Sequence, residues 1–454
     1  MCYQTTSQIA FLSLDEDCLN LNVYTPVKPG SNKKLPVLLW IHGGAYQTGS
    51  SAFSYFGPKY QIDYGIVIVT INYRLSAFGF LGTEDGVIPS NVGLEDQRLA
   101  MKWVKRNIEQ FGGDSNHIVI AGESAGSSSV GEHLLGSWNG EEPLFHGAIM
   151  QSGSPLARWT SPRNLTEIAV NLAQKIDPKF SPRNTTDLLK FLQKVDAQDI
   201  ANNPIKDLSL DKPGPVGNLQ LLMQGDYKKV PVLIGFNSEE SLYFRSMYTK
   251  SFVEMYDNDS SVLIVSSMNM SPSNRTIAGK KLKEVYTNNK FADDFGAFLQ
   301  YQTDVSFINS ILKTVEIGCH SNPYYLYEFS YKGELGGSMD VPHYNKAGLV
   351  MHAEDLPYMW EQAGKNSDLS KFPKADQLTM QRIVKMWTNF VKHFNPTPKA
   401  DPILDNVTWQ PTEPSSFRYL NINATLEMKT NPRAYKQTKD ILEYYMQPPF
   451  NFFD

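Results

Sequence analysis

Short apolar runs recur along this chain and alternate with amphipathic stretches. LNLNVYTP, VLLWIHGG and IVIVTINYR read as strands, and the last two are apolar almost without interruption. Runs of that kind suit strands buried on both faces, because a strand with one wet face alternates apolar and polar residues. DQRLAMKWVKRNIEQFGG then brings Leu99, Trp103, Val104, Ile108 and Phe111 onto one helical face and stops at Gly112-Gly113. HIVIAGE is the next strand, SAGSSSVGEHLL a helix and HGAIMQSG another strand, with VPVLIGFNS and PYYLYEFSY further on. Met380, Ile383, Val384, Trp387, Val391 and Phe394 lie three and four residues apart and predict an amphipathic helix that ends before Pro396. Beyond it the chain reads as Pro/Asn-rich loop with one short strand, FRYLNI. Strand–helix alternation predicts an α/β fold with a mostly parallel sheet and right-handed crossovers. The turn-rich stretch 160–225 and the polar stretch 245–320 carry too many patterned apolar residues to be linkers, so residues 1–454 are expected to form a single domain.

Composition narrows the picture modestly. Hydrophobic residues make up 41% and charged residues 20%, as in ordinary globular chains. A net charge of −5 gives no reason to expect nucleic acid or an anionic membrane as partner. No apolar run reaches the roughly 18 residues of a membrane span, so no integral membrane segment is expected. The cysteines, Cys2, Cys18 and Cys319, are too few for a disulfide scaffold and are not spaced as metal ligands. Neither a metal nor an organic cofactor is expected. Cys2 and Cys18 are placed to close a short loop, which suits an oxidising compartment. Sequons at Asn164, Asn184, Asn258, Asn269, Asn274, Asn406 and Asn423 point the same way, to a secretory location. The N-terminus MCYQTTSQIAFLS has no basic region followed by an apolar core, so cytoplasmic residence stays open as the alternative.

The chemistry gathers around Gly122-Glu123-Ser124-Ala125-Gly126. An apolar strand runs into this G-x-S-x-G and a helix of small residues leaves it. A serine on such a turn has strained backbone angles, and tiny neighbours let strand and helix approach. The helix N-terminus also directs free N–H groups toward charge developing beside the Ser124 hydroxyl. Acyl transfer needs donors for an oxyanion, and WIHGGAYQTGSS supplies a glycine-rich turn at the end of a buried strand. The backbone N–H groups of Gly44, Ala45 and Ala125 are the candidate oxyanion hole.

EDCLNLNVYTP, WIHGGAYQTGSS, NYRLSAFGFLG, NVGLEDQRLAMKWVKRNIEQFGGD, IAGESAGSSSVG and HGAIMQSGSP closely resemble, in order, the type-B carboxylesterase/cholinesterase family of α/β-hydrolases. The resemblance is dense through the first third of the chain and thinner to the end. It implies the α/β-hydrolase fold and a serine carboxylesterase acting on small to medium apolar esters, with a small-molecule ester as its partner. Triad members follow in the order Ser, acid, His. The family's acid stands just before a glycine in a stretch like VPVLIGFNSEESLYF; the glycine position here is Ser241, which gives Glu240, with Glu239 as the alternative. Of the histidines that follow, His320, His343, His352 and His393, the loop AGLVMHAEDLPYMW resembles the family's histidine loop and gives His352. His343 is its competitor, and His393 falls on the polar side of its helix. Ser152 matches a position that supports the acid, and Trp159 one near the acyl side of the pocket.

The resemblance also pairs Cys2 with Cys18 and leaves Cys319 as a free, buried thiol. The intervening loop lacks the tryptophan with which cholinesterases stack a quaternary ammonium, so a general carboxylesterase or a hormone- or odorant-ester hydrolase fits better. Family members carry further residues ahead of the position of Met1, so the fold is expected without its N-terminal strands. A family member that serves in binding or adhesion after losing its serine is the competing class, and a lipase for longer acyl chains the competing enzyme. The sequence does not set the oligomeric state.

Overall fold

The computed structural model describes residues 1–4, 14–28, 30–136, 142–159, 164–203, 216–265, 268–337 and 340–447. Nine strands among them form one sheet: β1 Leu21–Tyr24, β2 Leu35–Ile41, β3 Val67–Ile71, β4 Gly113–Glu123, β5 Gly147–Gln151, β6 Val232–Asn237, β7 Tyr324–Phe329, β8 Tyr419–Ile422 and β9 Leu426–Lys429. Their order is β1-β3-β2-β4-β5-β6-β7-β8-β9. Strands β2 to β8 run parallel, while β1 and β9 close the two edges in antiparallel pairs with β3 and β8.

The apolar runs are strands because helices cover both faces of the sheet. Along β2, Val37, Leu39 and Ile41 enter one core while Leu38 and Trp40 enter the other. The first core takes Ala125, Val130 and Leu134 from the helix Ala125–Leu135. The second takes Met380, Ile383, Val384, Trp387 and Val391 from the helix Lys374–His393, the stripe read from the sequence. Phe394, assigned to that stripe, stands just past the helix as its left-handed cap.

Two readings need correction. The helix Val92–Asn107 does not bury Leu99 and Trp103, which are exposed together with Phe111. Its buried stripe runs through Gln97, Met101 and Val104 to Ile108, just beyond its end. Gln97 is polar and so was passed over, yet it is fully buried: its Nε2 donates to Ser129 Oγ (3.1 Å) and its Oε1 lies 2.8 Å from His133 Nε2. A satisfied amide can occupy a core position that an apolar pattern assigns elsewhere. The stretch after FRYLNI is not all loop either, because it holds β9 and the helix Tyr435–Tyr445.

Cys2 and Cys18 form a disulfide, and Cys319 is a half-buried free thiol. No helix among the described residues is long and apolar enough to cross a membrane.

Candidate active site

In a parallel sheet the carboxyl ends of the strands share one rim, where connecting loops can bring distant side chains together. His42 to Ala45 follow β2, Ser124 follows β4, Ser152 follows β5, and Glu239 and Glu240 follow β6. The loop after β7 returns His352 to the same rim.

Ser124 has φ 57° and ψ −122°, outside the regions that L-residues favour. The turn is held by Ser124 N–H donating to Gln151 O (2.8 Å) and by two glycines that admit no side chain. A Cβ on Gly122 would lie 2.4 Å from the Gly126 carbonyl, and one on Gly126 would lie 2.1 Å from Ile41 O. Ala125 is the first residue of the helix that follows, so its N–H belongs to the unpaired first turn.

The turn after β2 carries three successive residues at positive φ: Gly44 (108°), Ala45 (55°) and Tyr46 (58°). Gly44 O accepts from Gln47 N (2.9 Å) and Thr48 N (3.0 Å), and Tyr46 O accepts from Ser76 N (2.6 Å). The N–H groups of Gly44 and Ala45 donate to no acceptor among the described residues. Ala45 and Ser124 both open onto a cavity of about 150 Å³. Trp159, Phe244, Met247 and Phe307 give it apolar walls, with Gln47 and Ser306 among the polar ones. Trp159 Nε1 donates to Ser306 O (3.0 Å), which fixes the indole as a wall.

His352 is buried, and its Nδ1 lies 2.6 Å from Glu240 Oε2. Glu240 Oε1 accepts from Asn237 N–H (2.7 Å), so both carboxylate oxygens are engaged. Glu239, its neighbour, faces the other way. Its carboxylate accepts from Gly348 N–H (2.7 Å) and the Thr303 hydroxyl, and Arg433 approaches to 4.0 Å. Arg433 also donates to Asp304 and to Ser238 O, bracing the loop between β6 and the glutamates. His343 is exposed at the surface and His320 likewise. Ser152 is fully buried, but its hydroxyl finds no hydrogen-bond partner among the described residues, Glu240 included. Its backbone N–H is spent on Gly235 O (2.9 Å).

Three further groups escaped the sequence reading. Glu123 Oε1 lies 3.1 Å from His352 Nε2, without hydrogen-bond alignment. Its signal was a glutamate ending an otherwise apolar strand. Asp355, three residues after His352, is buried and accepts from Gln151 Nε2 (2.6 Å) and Asn237 Nδ2 (3.3 Å). The π-helical segment Asp304–Ile308 supplies Ser306 and Phe307 to the cavity, and no periodicity announces such a bulge.

The electrostatics follow from burial. Desolvation pushes Glu123 up to about 8, with the Asp355 and Glu240 charges adding and His352 opposing. Burial also raises Asp355, and it brings Glu239 to about 7 against the pull of Arg433. For His352 burial acts downward, and the surrounding carboxylates of Glu123, Glu240 and Asp355 override it, so the imidazolium is favoured. A neutral Glu123 relieves part of that pull.

The chain is similar to known esterases along most of its length. Juvenile hormone esterase of Tribolium castaneum is 31% identical over 450 residues, covering 90% of this chain and 75% of that protein. Esterase FE4 of Myzus persicae is 30% identical over 443 residues, covering 91% and 77%. The crystal structure of juvenile hormone esterase from Manduca sexta, with OTFP covalently attached, superposes with a TM-score of 0.79 at 24% identity over 95% of this chain and 84% of that one. That likeness shows the α/β-hydrolase fold. The model of the carboxylesterase family matches residues 1–439, and the chain therefore belongs to the carboxylesterase family.

Proposed function

We propose that this carboxylesterase-family hydrolase cleaves small to medium apolar carboxylic esters through an acyl-enzyme on Ser124. The observation that supports this best is the buried His352–Glu240 contact of 2.6 Å at the rim that also carries the strained Ser124 turn and its apolar cavity. In this reading the Ser124 hydroxyl attacks the ester carbonyl while His352 Nε2 takes its proton. Glu240 holds the imidazole with Nδ1–H toward it and stabilises the imidazolium. The oxyanion forms against the N–H groups of Gly44, Ala45 and Ala125. His352 returns the proton to the leaving alkoxide, and water repeats the sequence to free the acid. Trp159, Phe244 and Phe307 receive the acyl or alcohol part.

Residues 1–454 act as one domain in this proposal, in a secretory compartment where the Cys2–Cys18 bond persists and exposed sequons such as Asn258 and Asn406 carry glycans. The test is labelling with a fluorophosphonate, beside rates on p-nitrophenyl esters of increasing acyl length, for wild type and Ser124→Ala. Adduct on Ser124 and loss of turnover in the variant are expected. Absence of an adduct in folded wild type refutes the proposal, and rates that rise with acyl length above micelle formation transfer it to the lipase reading.

A further inference from the structure

Ahead of the sheet, Gln4 is fully buried, and its amide faces the backbone of Gly49. Gln4 Nε2 donates to Gly49 O (3.0 Å) while Gly49 N–H donates to Gln4 Oε1 (2.9 Å). The side chain thus pairs with one residue's N–H and C=O as a neighbouring strand would. Gln4 is itself anchored: its Nε2 also donates to Cys2 O (3.2 Å), and the Cys2–Cys18 disulfide fastens this segment to the start of β1, where Asn72 Nδ2 holds Cys18 O (3.1 Å).

Gly49 closes the turn that follows β2. It stands at φ +123°, and a Cβ there would lie 2.3 Å from His42 Nδ1 and 2.7 Å from Gly43 O. The Gly49 backbone therefore rests on the His42–Gly43 unit without a gap. The His42 ring bonds Gly43 O through Nδ1 (2.8 Å) and stacks on Tyr73, whose hydroxyl donates to His42 O (2.8 Å). Gly43 in turn is packed on the serine: a Cβ on it would lie 3.0 Å from Ser124 Cβ. The path from Gln4 to the N–H groups of Gly44 and Ala45 is a run of direct contacts. Gly44, Ala45 and Gly49 on that path carry positive φ and lie outside the helices and strands.

We propose that Gln4 is a positioning residue for the oxyanion turn, clamping Gly49 so that the Gly44 and Ala45 N–H groups hold their place relative to Ser124. This rests on the hydrolytic reading above. Without the clamp the Gly49 N–H and C=O lose their partners, and the turn gains freedom where a fraction of an ångström matters. An oxyanion hole contributes to the transition state more than to the ground state, so the loss should fall on kcat.

The experiment compares full-length wild type, Gln4→Leu and Gln4→Glu, each titrated to completion with a fluorophosphonate to count active sites. In Gln4→Leu, kcat per titrated site is expected to fall about 10- to 100-fold, with KM within about twofold of wild type. Inhibition by a trifluoromethyl ketone, whose serine adduct places an oxyanion in the same hole, should weaken by the factor lost in kcat. Gln4→Glu keeps an acceptor for Gly49 N–H and should lie between. If Gln4→Leu only lowers the number of titratable sites, while kcat per site and ketone affinity stay at wild type, Gln4 is a folding residue and the inference falls alone. If wild type neither labels on serine nor turns over esters, the hydrolytic reading fails and takes this inference with it.

Discussion

Glu240→Gln keeps the side chain's shape and removes its charge. The new amide can still accept from Asn237 N–H through Oε1. That choice turns its NH2 group toward His352 Nδ1, 2.6 Å away in the native contact. Facing a donor, His352 accepts at Nδ1 and carries its proton on Nε2, the tautomer unable to take a proton from Ser124. The imidazolium also loses its counter-charge. With both groups buried and charge centres about 4 Å apart, that attraction is about 4 kcal/mol at an effective dielectric near 20. At about 1.4 kcal/mol per tenfold, the fall in kcat/KM is expected to be about 10³. Glu239→Gln leaves the His352 contact in place and should keep kcat/KM within about tenfold, its effect appearing as lost stability beside Arg433. Initial rates on p-nitrophenyl butyrate, normalised to titrated sites and read with melting temperatures, separate the two. A folded Glu240→Gln within tenfold of wild type, or a folded Glu239→Gln down by three decades, refutes the assignment.

The other expectations concern the surroundings of that pair. Glu123 is raised from 4.5 to about 8 mainly by burial, so the native state holds a proton there that the unfolded chain releases. Its contribution to stability is present below pH 4.5 and is lost as pH rises toward 8, at up to about 1.4 kcal/mol per pH unit. Glu123→Gln should therefore gain on wild type between pH 5 and pH 8 in thermal melts; parallel losses in the two proteins would count against a buried neutral Glu123. Arg433→Met leaves Asp304 and Glu239 buried without their cation and should cost about 3–5 kcal/mol in guanidinium unfolding; an unchanged midpoint would show the cluster to be dispensable. Phe307→Ala removes a wall of the cavity and should raise the preference for longer over shorter acyl esters by about tenfold; an unchanged ratio would place the acyl group elsewhere.

How legible the molecule was depends on what each residue's neighbours are. VLLWI and IVIVTI announce buried parallel strands because burial on both faces leaves no room for polar residues. Ser124 and the His42–Ala45 turn were legible because steric demands at an elbow force glycine at fixed spacing. His352 and Glu240 could be reached only through a family register, since nothing local sets them apart from His343 or Glu239. The misplaced stripe of the helix Val92–Asn107 has a definite cause: Gln97 is buried because His133 and Ser129 satisfy it, and those partners lie far along the chain. Glu123 was hidden for the same reason, its significance lying in His352 rather than in its own sequence context. The bulge at Asp304–Ile308 and the strand β9 depend on tertiary partners that no local pattern encodes.

Arg433 braces the glutamate loop from a position later in the chain than every residue of the candidate site. During synthesis the Gly44–Ala45 turn leaves the ribosome first, Ser124 after it, then Glu239 and Glu240, then His352, and Arg433 last. Chains of this size gain structure as they emerge, yet here the buried Glu239 and Asp304 wait for their cation until the site's other members are already outside. The nascent protein thus carries its proposed nucleophile through most of translation with the Ser238–Glu239 loop unbraced, and the candidate site is completed as a late event of biosynthesis.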